Sequence, residues 1–191
     1  MKRRFAGLAA MALLTVCGVT AQAPTQALAQ TPAQASVSTP AKADPWAALR
    51  FLLGSWEAKT IGGMAQAQAA AAYSFRLELR DHVLARHSRS GACAAPEDFD
   101  CQHNDLLYIY PAANGQTLQA IYFDNSGHVV RYDVTTPKAN TTVLLSDSTQ
   151  PGPQYRLSYT LSDGTLNGLL EIKLPNQTDF TSLLEWSGKQ E

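Results

Sequence analysis

The chain has 191 residues, with 15 lysines and arginines against 16 acidic residues. Lys2, Arg3 and Arg4 stand together at the N-terminus, so the remainder carries 12 basic against 16 acidic side chains, with no further lysine- or arginine-rich run. Binding phosphates needs a concentrated basic face, so no nucleic-acid partner is expected, and the mild acidity reads as solubility.

Lys2-Arg3-Arg4 followed by the apolar run Phe5 to Val19 has the charged start and short hydrophobic core of a secretory signal peptide. The run is too short to cross a bilayer comfortably. Small residues before the cut offer cleavage after Ala21 or after Ala29; the first is preferred, which makes 1–21 the expected signal peptide. A lipobox needs a small residue before its cysteine, and Val16 precedes Cys17, so no lipid anchor is expected there. The mature chain is expected in the periplasm or outside the cell, with no transmembrane segment. Residues 22–43 are almost entirely Ala, Gln, Thr, Ser and Pro with no aromatic side chain, and cannot bury enough surface to offset the entropy of ordering. They read as a disordered tether.

From Asp44 onward the chain reads as one domain, 44–191. Asp44-Pro45 is a helix start, with a capping carboxylate and a proline where no N–H is needed. Trp46, Leu49, Leu52 and Leu53 recur at helical spacing, which predicts a helix of about ten residues ended by Gly54 and packed over one end of a sheet. Strands are then predicted at 55–61, 70–79, 83–89, 105–110, 119–124, 128–135, 142–146, 155–161, 165–174 and 179–187, separated by Gly, Asn, Asp and Pro turns. The alanine-rich stretch 64–72 is expected as a loop entering the second strand. Ser162-Asp163-Gly164 is a hairpin signal.

Tyr155, Leu157, Tyr159 and Leu161 alternate with Arg156, Ser158 and Thr160, and Phe180, Ser182, Leu184 and Trp186 with Thr181, Leu183 and Glu185. Such strands bury one face and wet the other. Ten sequential strands in a domain this small would leave edges unless the sheet closes on itself. The expected fold is therefore all-β: a closed antiparallel up-and-down barrel of about ten strands with a short N-terminal helix.

Phe51-Leu52-Leu53-Gly54-Ser55-Trp56-Glu57, at the head of such a meander, resembles the opening of the calycin-like (lipocalin and nitrobindin-type) β-barrels. More narrowly it is similar to a bacterial family of unknown function that opens Phe-Leu-Leu-Gly-Thr-Trp-Glu-Gly-x-Gly. The resemblance implies a closed barrel with an internal cavity and, in nitrobindins, a haem held by a histidine on one of the last strands. Here Ala58 and Thr60 replace the glycines after Trp-Glu, and no histidine follows His128, so haem is not carried over and no cofactor is expected.

Cys93 and Cys101 lie between two strands, and in an oxidising compartment a disulfide is the expected pairing. A redox pair and a metal site with His103 are the alternatives, but the Cys spacing is unlike Cys-x-x-Cys, and His82, His87, His103 and His128 form no His-x-His or His-Glu-x-x-His array. No metal is expected. His82 and His128 sit beside turns; His87 is the histidine expected deep in the sheet, and since Arg86 and His87 alternate, at most one can face inward. No serine lies in a Gly-x-Ser-x-Gly turn, Glu57, Glu78, Glu171 and Glu185 are expected outside, and no catalytic residue is named.

The aromatic residues are spread over the strands. Trp56, Arg86, Tyr108, Tyr122, Tyr132, Tyr159 and Trp186 are the candidate ligand-binding set. Facing inward, they either line an amphipathic cavity or fill the barrel. Three functions follow: binding of a small, largely apolar molecule; an envelope interaction or structural protein with a filled core; and an enzyme built on an inward Arg86 or His87.

Overall fold

The computed structural model describes residues 44–191 apart from 67, 97–99 and 150; the expected signal peptide and tether lie outside the described residues. Ten strands follow one another: β1 Gly54–Gly62, β2 Gln68–Glu78, β3 Val83–Ala94, β4 Asp105–Pro111, β5 Leu118–Asp124, β6 Val129–Lys138, β7 Thr141–Ser146, β8 Gln154–Ser162, β9 Thr165–Lys173 and β10 Thr181–Gln190. Each pairs antiparallel with the next, and β10 returns to β1 with Trp56 opposite Gln190, so the barrel closes without an edge. It is the expected up-and-down barrel.

The predicted helix is shorter and tighter than expected: a 3-10 turn, Ala47–Leu52, ending at Leu53 rather than at Gly54, which already opens β1. Asp44 still caps its entry, Oδ1 accepting from Trp46 N–H at 2.9 Å. The turn and its N-cap residue still bury three of the four expected apolar side chains: Trp46, Leu49 and Leu52 are 3, 0 and 0 % exposed, and Leu53 is partly buried. Two indoles fix this plug. Trp46 Nε1 donates to Asp81 O at 2.7 Å and Trp56 Nε1 to Leu52 O at 2.9 Å. The first bond reaches the β2–β3 turn, where Leu79, Arg80 and Asp81 all hold positive φ (51°, 57° and 62°), a conformation unfavourable for side chains other than glycine.

From Gln68 onward the alanine-rich stretch belongs to β2, not to a loop: Gln68 and Ala69 pair with Ala94 and Cys93, so β2 begins earlier and β3 runs further than their sequence suggested. At the other hairpin the signal holds, with Asp163 and Gly164 both at positive φ (50° and 70°). In β10 the register shifts between Ser182 and Leu184. That bulge separates Ser182, opposite Glu171, from Leu184 and Trp186, opposite Leu170 and Gly168, so the expected single face from Phe180 to Trp186 does not form.

Register assigns the inner wall. Phe75 opposes Arg86, Arg86 opposes Leu107, and Leu107 opposes Tyr122. The wall continues through Ala120, Tyr132, Val134, Leu144, Leu157 and Tyr159 to Gly168 and Trp186.

Candidate functional site at the open end of the barrel

The plugged end is made by the starts of the odd strands and the ends of the even ones; there Leu49, Leu52, Leu84, Ile109 and Leu166 are at most 1 % exposed. Toward the opposite end, inner side chains lose their cover: Tyr122, Val130, Tyr155, Leu170, Leu184 and Trp186 are only partly buried. The wall there is apolar and aromatic. Its floor is not.

Arg86, 6 % exposed, extends from β3 across the interior. Its Nη2 donates to Asp105 Oδ1 at the start of β4, and its Nη1 donates to the Tyr159 hydroxyl on β8. Burial works against the guanidinium charge, but the Asp105 carboxylate more than restores it and holds the pKa above its ordinary value. Burial likewise pushes Asp105 up, and Arg86 together with His103 overcomes it, keeping its carboxyl well below the usual range. The pair is ionised inside the barrel.

From Asp105 a polar chain runs outward. His103 Nε2 lies 3.4 Å from Asp105 Oδ2 and 2.9 Å from the Tyr122 hydroxyl. That hydroxyl donates to Asp124 Oδ2 at 3.4 Å, and the same oxygen lies 2.8 Å from Nδ1 of His128 at the surface. The hydrogen bond to Asp105 raises the His103 pKa. Desolvation pushes Tyr73, Tyr122, Tyr132 and Tyr159 upward, so their phenols stay neutral and can donate.

Two buried polar atoms are left over. Arg86 Nε and the Tyr73 hydroxyl have no hydrogen-bond partner among the described residues. Trp186 lies close enough to Tyr73 to offset part of the effect of its burial, but makes no hydrogen bond of acceptable geometry to it. A buried donor without a partner costs about 1–3 kcal/mol. Tyr73 belongs to, and Arg86 is bonded through Tyr159 to, an aromatic stack of Tyr73, Phe75, Tyr159 and Trp186, whose successive rings meet edge to face at 5.9, 5.4 and 5.9 Å. Gly168 makes room for that stack: a Cβ there would fall 2.0 Å from the Trp186 ring.

Of the seven candidate residues, the structure places six on the inner wall: Trp56, Arg86, Tyr122, Tyr132, Tyr159 and Trp186. Trp56 belongs to the plugged end, where its indole is spent on Leu52. Tyr108 is a correction. It opposes Ala85 and Ile121 on the outer wall, where its ring meets that of His87 at 6.2 Å. His87 is the second correction: it is exposed, with Nε2 2.9 Å from Glu78 Oε1, so the inward member of the Arg86–His87 pair is the arginine. Glu171 is outside as expected, paired with Arg156 at 2.5 and 2.6 Å.

Compared with known protein families and with curated proteins, this chain matches none. The likeness to calycin-like barrels therefore rests on the closed ten-strand architecture and the short opening motif.

The Cys93 and Cys101 sulfurs lie at bonding distance, 2.12 Å, tying the end of β3 to the segment that carries His103. Tyr73, Asp105, Asp124 and His103 are site residues outside the candidate set; His103 was weighed only as a metal ligand with the cysteines, because it lies in no strand and in no spaced motif. The only available signal was its place two residues before Asp105, where β4 begins. Among the described residues no group of three His, Cys, Asp or Glu side chains could hold a metal ion. Two open hollows lie elsewhere, one beside the plug at Phe51 and Lys138, the other on the rim at Lys59, Gln68 and Ala92.

Proposed function

We propose that this chain is an exported, calycin-like barrel that binds one small, largely apolar molecule in its open end. The apolar part of the ligand lies against Trp186, Leu170, Tyr155 and Val130, and its polar part faces Arg86 and the surrounding tyrosines. One observation carries this reading: an ionised Arg86–Asp105 pair, its side chains 7 and 10 % exposed, sits at the bottom of a partly exposed apolar wall. A buried ion pair contributes little to stability compared with apolar packing of the same volume, so its place beneath partly exposed apolar side chains favours recognition over scaffolding. Export is supported by the charged, then apolar N-terminus and by the Cys93–Cys101 bond, which suits an oxidising compartment.

The test is native mass spectrometry, with extraction of bound small molecules, on protein purified from its own envelope or culture fluid. A stoichiometric adduct, lost on Trp186→Asp, is the expected result; a clean apo mass that stays clean after challenge with lipid extracts overturns the proposal. A filled-core interaction protein is the second reading. The observation in its favour is an outer strip of Leu106, Phe123 and Val129, mutually opposed across β4, β5 and β6 and 36, 36 and 56 % exposed.

A further inference from the structure

We infer that the ligand of the open end is an uncharged molecule carrying a carbonyl-type hydrogen-bond acceptor, and not a carboxylate, with the acceptor taken by Arg86 Nε–H and the Tyr73 hydroxyl. The inference rests on the ligand-binding reading above and specifies its chemistry.

The unpartnered donors set the first requirement. Tyr73 and Arg86 are 5 and 6 % exposed, and both Nε and the hydroxyl lack a partner among the described residues. They are diagonal neighbours on the inner wall, since Phe75 opposes Arg86 and Tyr73 opposes Ser88. Both are donors with nothing to donate to, so the complementary group is an acceptor.

Charge sets the second requirement. Arg86 would attract a carboxylate if its charge were free, but Nη2 already holds Asp105 Oδ1 and Nη1 the Tyr159 hydroxyl. Asp124 adds another carboxylate on the same wall, directly opposite Asp105. An entering carboxylate would lose its hydration and meet two like charges, whereas a ketone, ester or amide oxygen loses far less on leaving water. The body of the ligand is apolar, because the partly buried inner side chains toward that end include Leu184, Leu170 and Trp186. Trp186, partly exposed and seated over Gly168, is the side chain that must move for the acceptor to reach the donors.

Three isosteric probes separate the possibilities by calorimetric titration at neutral pH: benzylacetone (a ketone), hydrocinnamate (its carboxylate counterpart) and butylbenzene (no oxygen). Benzylacetone is expected to bind about tenfold more tightly than either of the others, the scale of one well-made hydrogen bond to an otherwise unpaired donor. Tyr73→Phe, which removes a hydroxyl with no hydrogen-bond partner among the described residues and so leaves the fold intact, is expected to erase most of the ketone's advantage over butylbenzene. Asp105→Asn is expected to raise hydrocinnamate above the ketone by freeing the guanidinium charge; if that variant does not fold, Tyr73→Phe alone decides. Hydrocinnamate binding best to the unaltered protein, or butylbenzene matching the ketone, overturns the inference while leaving the site standing. Failure of all three probes to bind overturns the binding site itself.

Discussion

The two ends of this barrel solve the same problem in opposite ways. At one end a 3-10 turn of six residues closes the opening with Leu49 and Leu52, two indoles donate to backbone carbonyls, and the buried Thr141 and Thr142 hydroxyls are hydrogen-bonded. At the other end the inner side chains are only partly buried, an ion pair lies beneath them, and two donors have no partner among the described residues. Burial of apolar surface stabilises the first without regard to pH or ligand. The second depends on charge states and leaves hydrogen-bonding capacity unused, which is what a binding site requires and a scaffold does not.

The largest effects should divide along this line. Trp56→Ala removes a nearly buried indole and its tie to Leu52, and should cost about 3–5 kcal/mol in denaturant unfolding, equally at about pH 3 and pH 7. Asp105→Ala leaves a buried arginine without its counter-ion and should cost a similar 3–5 kcal/mol. The second loss should shrink as pH falls, because protonating Asp105 in the unaltered protein removes the same interaction. Equal pH dependence of the two variants would erase the distinction between the ends.

The direction of that pH dependence follows from the two shifted groups. The folded pKa of Asp105 lies below its unfolded value, so its contribution is complete above the ordinary carboxylate range, about pH 4, and is lost as pH falls through the depressed value. His103 is raised; its contribution is complete below about pH 6.5 and is lost as pH rises through the folded value. Ring-proton NMR should find His103 titrating above the ordinary histidine midpoint, and Asp105→Asn should bring it back down. Amide exchange at pH 3 should increase around Asp105 and Tyr122 before it increases around Leu84 and Ile109.

Breaking the disulfide should act on the open end alone. Cys93→Ser with Cys101→Ser releases a short loop beside His103 and should cost about 2–3 kcal/mol by loop-closure entropy. The His103 titration should move toward that of a free histidine, while the burial of Trp46 and Trp56, read by fluorescence quenching, should stay unchanged.

The same contrast explains what could be read from the chain. Strand order, turn positions and closure were legible because apolar alternation and Gly, Asn and Asp turns are local signals, and β8 shows its inner face outright in Tyr155, Leu157, Tyr159 and Leu161. Tyr108 was not legible. Leu106-Leu107-Tyr108-Ile109-Tyr110 is apolar throughout, so only the pairing of Leu107 with Arg86 and Tyr122 decides which face turns inward. Phe180 to Trp186 alternates well in sequence, yet the bulge before Leu184 changes its phase, and nothing in those residue types signals a bulge. His103 comes to Asp105 and Tyr122 through a loop, which periodicity cannot place.

The smallest expected effect is also the sharpest comparison between neighbouring groups. Tyr159 and Tyr73 lie in one aromatic stack and are both almost wholly buried, but the Tyr159 hydroxyl accepts from Arg86 and the Tyr73 hydroxyl bonds to nothing among the described residues. Tyr159→Phe strands a guanidinium donor and should cost about 1–3 kcal/mol. Tyr73→Phe removes an oxygen whose burial is uncompensated, so unfolding free energy should stay within about 0.5 kcal/mol of the unaltered protein or rise. Equal losses in the two variants would mean that the Tyr73 hydroxyl is already satisfied in the ligand-free protein, and the open end would then have one donor fewer to offer a ligand.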